Sequence, residues 1–305
     1  MVSLGYACIN MGLQESRGIQ TSRGMIKKTF QQKGASYASS LALQNCKDLI
    51  EIVKWNNENG IKVFRITSCL FPWASEYQID DLPDIEQISA ALQEVGKVAK
   101  EGGQRLSQHP GPFNILASET ERVVNNCIID LKIHQKTMDL MQQPENRWAK
   151  INIHVGAAKG DRAKALETWC RNFDRLPDGV KNRLTVENDD KENLYSIKML
   201  YEGVFKRTGV AIVADQHHHE CGPQDIPWSE ALPLAASTWA DVRPTCHLSN
   251  SRRIEMEGVN KNAHSDWYYT PFNDCGLDVD VVLEAKMKER ALFRYKTQFA
   301  ELPHV

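Results

Sequence analysis

Six side chains able to ligate a metal recur at intervals of roughly 30 to 45 residues: His109, His154, Glu187, Asp215, His247 and Glu284. Each ends or directly follows a short run of strand-forming residues, such as INI before His154, LTV before Glu187, AIVA before Asp215 and VVL before Glu284. A lone histidine in such a place is ordinarily a hydrogen-bonded structural residue. Six ligands in phase with six strand ends point instead to a shared centre. Imidazole and carboxylate together suit Zn2+, Mn2+ or Fe2+, and this many carboxylates leave room for several ions that share a bridging group. His218 and His264 lie just beyond the sixth and seventh strands and extend the set to eight.

For these residues to meet, the strand ends must converge. Eight β-rich runs are spread along the chain: Ser3–Cys8, Lys62–Ile66, Arg105–Gln108, Lys150–His154, Arg183–Val186, Val210–Ala214, Val242–His247 and Asp280–Leu283. Helical periodicity fills the intervals at Leu41–Glu58, Asp84–Glu101, Glu119–Met141, Arg162–Phe173, Lys191–Arg207 and Ala285–Ala300, and more weakly at Trp228–Trp239. Eight such units predict an α/β fold of the (β/α)8 TIM-barrel type, in which the C-terminal strand ends face one cup. An open doubly wound sheet is the alternative, but no Gly-rich phosphate loop follows the first strand. With no repeat or linker visible, residues 1–305 read as one domain. The connection after the first strand, about 25 residues rich in Gln, Ser, Arg and Gly, is long enough for loop-length priors to favour a functional role.

The 305 residues include 42% hydrophobic and 25% charged side chains, as in an ordinary globular protein. No stretch approaches the ~18 apolar residues of a membrane span, and the N-terminal MVSLGYACINMGL lacks the pattern of a signal peptide, so a cytoplasmic chain without membrane contact is expected. Eight scattered cysteines without a CxxC pair, mostly inside apolar segments, read as free buried thiols in a reducing compartment. A net charge of −2 excludes coating of nucleic acid by bulk charge, yet two local basic patches stand out. One holds Arg17, Arg23, Lys27, Lys28 and Lys33; the other holds Arg252, Arg253 and Lys261. In the run His217-His218-His219, alternation along an extended strand exit would aim His218 away from its neighbours, so one of the three is expected to bind metal. His134, inside a helical stretch, and His304 read as structural or solvent-exposed.

The segments LGYACIN (Leu4–Asn10), FRITSCLFP (Phe64–Pro72), RLSQHPG (Arg105–Gly111), INIHVG (Ile151–Gly156), LTVEND (Leu184–Asp189), ADQHHH (Ala214–His219), CHLS (Cys246–Ser249) and LEAKMKE (Leu283–Glu289) follow one another in order. Together they resemble the UV damage endonuclease family. The resemblance implies a DNA repair nuclease that acts on damaged double-stranded DNA and hydrolyses the phosphodiester immediately 5′ to a cyclobutane dimer or 6-4 photoproduct, with abasic sites as further substrates. It implies up to three divalent ions, usually Mn2+, with Zn2+, Mg2+ or Co2+ also possible. Carried over, His109, His154 and Glu187 would hold one ion, Glu187, Asp215, His247 and Glu284 a second, and His218 with His264 a third. Catalysis would centre on Glu187 and His109, with Tyr6 and Asn10 lining the lesion pocket. Arg65 and Ser68 would orient phosphates, Arg65 alternatively pairing with a barrel carboxylate. Lys159 and Arg162 have the same two readings, and Arg252 and Arg253 would also face DNA.

Two positions depart from the family. A lysine that many members place two residues before the seventh-strand histidine is here Thr245. The Gln-Tyr pair that members insert at the lesion is here Pro112-Phe113, of which Phe113 can still wedge between bases. A metal-dependent sugar isomerase or epimerase, an endonuclease IV-like abasic-site enzyme and a catalytically idle damage-binding protein are the rivals. All eight ligands are present, which disfavours the last. Because one chain carries them all, no partner subunit is required and a monomer is expected.

Overall fold

The computed structural model describes residues 2–156 and 160–301, so Lys159 and His304 lie outside the described residues. Eight parallel strands close into a barrel in sequence order: β1 (Val2–Ala7), β2 (Val63–Ile66), β3 (Arg105–Gln108), β4 (Ile151–His154), β5 (Leu184–Glu187), β6 (Ala211–Asp215), β7 (Thr245–Leu248) and β8 (Val279–Leu283), with β8 paired back to β1. The α-helices are α1 (Met11–Arg17), α2 (Lys27–Glu58), α3 (Ile85–Glu101), α4 (Glu121–Leu140), α5 (Arg162–Phe173), α6 (Asp178–Lys181), α7 (Ile197–Leu200), α8 (Lys206–Thr208), α9 (Gln216–Cys221), α10 (Trp228–Ala236) and α11 (Lys288–Gln298). The expected (β/α)8 barrel is present. Among the described residues no helix is long and apolar enough to cross a membrane.

Side chains alternate across each strand, and this period sorts the core. Leu4, Tyr6, Phe64, Ile66, Leu106, Ile151 and Ile153 point outward into the continuous layer between sheet and helices. Ala7, Val63 and Val282 form a small separate cluster inside the barrel. At Gly5 a Cβ would fall 1.8 Å from the Val63 carbonyl oxygen, so only glycine lets β1 approach β2 this closely. Buried Arg105 closes the N-terminal end: its guanidinium pairs with Asp280 at 3.0 Å, donates to the carbonyls of Arg147, Trp148 and Arg243, and lies over the rings of Trp148 and Trp239. Polar residues of the opposite strand ends are thereby left to the cup.

Three expectations change. The connection after β1 is not a 25-residue loop, because Asn10 caps α1 through Leu13 N–H at 2.9 Å and α2 begins at Lys27, kinked at Gly34 (φ 63°). The sequence KKTFQQKGASY lacks an apolar face, so its helical turns leave no periodic signal. The helix expected from Lys191 starts at Ile197, behind the cap supplied by Ser196. All eight cysteines are free, and Cys69 is exposed, not buried.

Candidate metal centre

Strand register sets the ligands at matched heights. His154 pairs with Glu187 across β4 and β5, and Asp215 pairs with His247 across β6 and β7. Glu284 follows β8, one residue beyond the Leu248–Leu283 pair. Two groups of ligand atoms, each within 4.8 Å of one another, result: His109, His154 and Glu187, and Glu187, Asp215 and His247. Glu187 is common to both. Its Oε2 lies 3.3 Å from His109 Nε2 and 3.1 Å from His247 Nδ1, while Oε1 lies 3.1 Å from His218 Nδ1 and 3.9 Å from His154 Nε2. Glu284 Oε1 stands 3.3 Å from His247 Nδ1, and its Oε2 stands 3.7 Å from His264 Nδ1. The rings of His218 and His264 are 6.2 Å apart, and among the described residues they do not complete a third group of the same kind.

The charge state of the cup follows from its crowding. Burial pushes the Glu187 carboxyl up, but His247 and His154, with hydrogen bonds from His109 and His218, hold it well below the usual carboxylate range. Burial likewise opposes Glu284, which Arg65, His247 and His264 bring down. Burial lowers His109 to about 4, leaving a neutral imidazole as a ligand. His218 is raised well above its ordinary value despite burial, by Asp215 and Glu187, and His154 is raised by Glu187 and Asp189. Asp215 Oδ2 and His247 Nδ1 are buried without a hydrogen-bond partner, although they sit among ligand atoms. Orphaned buried lone pairs beside ionised carboxylates fit divalent cations, which convergent oxygen and imidazole donors coordinate.

The histidine run is helical, not extended. Asp215 caps α9 by accepting His218 N–H at 2.7 Å, and the helical turn brings His218 back over the cup. His217 instead meets His264 edge-to-face at 5.6 Å and approaches Cys221, while His219 packs on Trp228. His134 is buried beside Asp130, as a structural histidine.

Other expected residues divide. Phe113 is 85% exposed on the loop after His109, and Pro112 joins His109, His154 and His218 in lining one recess. Ser68 is exposed beyond β2 and lines an adjoining cavity. Arg65 reaches the cup but ion-pairs with Glu284, the structural alternative. Arg162 donates to the carbonyls of Glu192 and Asn193, so its guanidinium clamps a loop. Arg252 lies 3.7 Å from Asp266, and Arg253 donates to the Val259 carbonyl while remaining exposed. Tyr6 and Asn10 do not line the cup. Tyr6 points outward, where its hydroxyl donates to Asn56 on α2 at 2.9 Å and accepts from Asn10, and both residues are buried.

Four residues went unnoticed in the sequence. Asn152 donates to Glu187 and its own carbonyl accepts from Thr185; Asn188 holds both backbone polar groups of Asp215. Asp189 Oδ1 approaches His154 Nδ1 to 3.2 Å. Lys150, buried beneath the cup, places Nζ 3.3 Å from His247 Nε2. A lysine therefore does reach the candidate metal ligands, from the residue preceding β4 and not from position 245 on β7.

The sequence model of the family described as UV-endonuclease UvdE matches residues 2–305. A UV-damage endonuclease of Schizosaccharomyces pombe is 33% identical over 98% of this chain, which spans only 52% of that relative's length. A putative UV-damage endonuclease of Acanthamoeba polyphaga mimivirus is 29% identical, covering 99% of this chain and 92% of its own. The solved structure of SacUVDE superposes over the whole of both chains with a TM-score of 0.86 at 27% identity. D-psicose 3-epimerase from Clostridium cellulolyticum H10, at 12% identity and a TM-score of 0.54 over 77% of this chain, shares the fold alone. The full-length family match, together with a barrel that superposes end to end on SacUVDE, establishes that this chain belongs to the UvdE family of UV-endonucleases.

Proposed function

We propose that the chain is a metal-dependent endonuclease that nicks duplex DNA immediately 5′ to cyclobutane dimers and 6-4 photoproducts, and also at abasic sites, leaving a 3′-hydroxyl and a 5′-phosphate. The observation that carries this reading is the position of Glu187, whose two oxygens face His109, His154, His218 and His247 at 3.1 to 3.9 Å. Divalent ions, Mn2+ foremost with Zn2+, Mg2+ or Co2+ as alternatives, would there neutralise the attacking and leaving oxygens of an in-line displacement. His109, His154 and Glu187 would hold one, Glu187, Asp215, His247 and Glu284 a second, and His218 with His264 a third. Arg65 keeps Glu284 ionised, Asn152 orients Glu187, and Asn188 fixes the backbone that presents Asp215. Phe113, exposed beside His109, enters the stack where a lesion already weakens it.

End-labelled duplexes carrying one dimer, one abasic site or no lesion test the reading in the presence of Mn2+. Nicking on the 5′ side of the dimer, with the intact duplex spared, is the expected result. Cleavage of the abasic duplex alone would make the chain an endonuclease IV-like enzyme instead.

A further inference from the structure

The sequence from Ser16 to Lys47 contains no acid, and its cations from Arg17 to Lys33 divide into two kinds once placed in the fold. Arg17 pairs with Glu51 at 2.5 Å, and Arg23 pairs with Asp48 at 2.7 Å while donating to the carbonyls of Gly18 and Gln20. Those two arginines tie the connection after β1 onto α2. Lys27, Lys28 and Lys33 are exposed, and among the described residues none has a carboxylate within ion-pair distance. All three stand on the first turns of α2, ahead of the kink at Gly34.

That segment is fastened to the catalytic rim. Trp73 Nε1 donates to the Met25 carbonyl at 2.9 Å, and Phe30 stacks on the Trp73 ring at 5.6 Å. Ser22 to Met25 share a cavity of about 380 Å³ with Ser68 to Ser75, Gln108 and Asp130. Gln108 immediately precedes His109, and Asp130 accepts from Asn114 at 2.7 Å, next to Phe113. The three lysines therefore stand on a segment fastened beside the chain that leaves β2, with the exit of β3 lining the same cavity. Charges beyond the ~8 Å screening length at physiological salt contribute little, so a polyanion meets this local patch and not the net charge of −2.

We propose that Lys27, Lys28 and Lys33 form a rail for backbone phosphates of the duplex arm flanking the lesion, on the side that Phe113 enters. This rests on the DNA reading above. Six helical residues advance ~9 Å, the rise of about three nucleotides along one strand of B-form DNA. Lysines spaced by the helix at that span set where the arm lies and so hold the lesion over the metal ligands, without reading sequence.

The test is fluorescence anisotropy of a labelled duplex carrying one thymine dimer, without added divalent metal, across a series of KCl concentrations. Wild type is compared with the K27A/K28A/K33A and K27E/K28E/K33E variants, with circular dichroism melts checking the fold of each. Removal of up to three phosphate contacts is expected to flatten the slope of log Kd against log salt by up to ~2.7, and to weaken binding at least about tenfold at low salt. Unchanged Kd and slope in both variants overturn the rail, as does weaker binding with an unchanged slope. A wild-type chain that fails to retain the duplex at any salt overturns the DNA reading itself, and the rail with it.

Discussion

Lys150 Nζ lies 3.3 Å from Nε2 of His247, three strands away around the barrel. Both groups are buried, and the amine occupies the space beneath the candidate metal ligands. A histidine that ligates a metal is held by whatever its second ring nitrogen contacts, and for the candidate ligand His247 that contact is the amine of the residue preceding β4.

Burial pushes the Lys150 ammonium down from 10.5 to about 7. Between those values the unfolded chain holds a proton that the native chain lacks, so native stability rises with pH across this window and is constant below it. In metal-free protein, urea unfolding should show wild type gaining about 3–5 kcal/mol relative to K150M between pH 7 and 10.5. Parallel profiles would contradict the burial of a neutral amine.

Asp189 stands behind His154, 3.2 Å from Oδ1 to Nδ1, where a carboxylate–histidine–metal arrangement would need its carboxylate. Replacement by Asn removes the charge and leaves the volume. Calorimetric titration should show Mn2+ binding to D189N weakened by about 10- to 100-fold with an unaltered far-UV spectrum. Wild-type affinity would remove Asp189 from the metal's support.

Phe113, at 85% exposure, contributes nothing to the core. F113A should melt within ~0.5 kcal/mol of wild type, the range of a surface change. Single-turnover cleavage beside a dimer should nevertheless fall at least about tenfold, and less beside an abasic site, where one base is already absent. Equal cleavage of both lesions by variant and wild type would end the wedge role.

Tyr6 tests the opposite kind of assignment. Its hydroxyl joins Asn56 to Asn10 in the layer between β1 and α2, and Asn10 caps α1. Y6F should lose about 1–3 kcal/mol in thermal or urea unfolding, because two buried partners lose their mate. Cleavage per folded molecule should hold steady; a selective loss on lesion DNA with stability intact would return Tyr6 to the substrate.

The convergence of the candidate ligands was legible because chemistry and secondary structure coincide at Glu187, Asp215, His247 and Glu284, each at the end of a β-rich run. Their supports were legible in principle as well. Lys150, Asn152 and His154 alternate with Ile151 and Ile153, and Arg105, Ser107 and His109 alternate with Leu106 and Gln108. In a parallel barrel strand, where both faces are covered, polar residues at every second position mark the interior polar column. A barrel carboxylate was an expected partner of Arg65, but the partners of Arg162 and Arg252 were not legible, since the Glu192 and Asn193 carbonyls and Asp266 meet them only through the fold. Tyr6 was misplaced for a related reason: its motif matched, but the inward phase of β1 belongs to Ala7, with Tyr6 on the outer face.

Under the proposed function one carboxylate, Glu187, organises a metal centre that cuts DNA at UV lesions. It is tested by mapping, with a 5′-labelled duplex carrying one cyclobutane dimer, the product made by metal-stripped protein upon addition of Mn2+, for wild type and E187Q in parallel. Wild type should yield one labelled fragment ending immediately 5′ to the dimer, and only with metal, while E187Q binds the duplex yet cuts it on the order of 1,000-fold more slowly. Wild-type turnover by E187Q, or cleavage that persists in excess chelator, would mean that cutting depends neither on Glu187 nor on a bound metal.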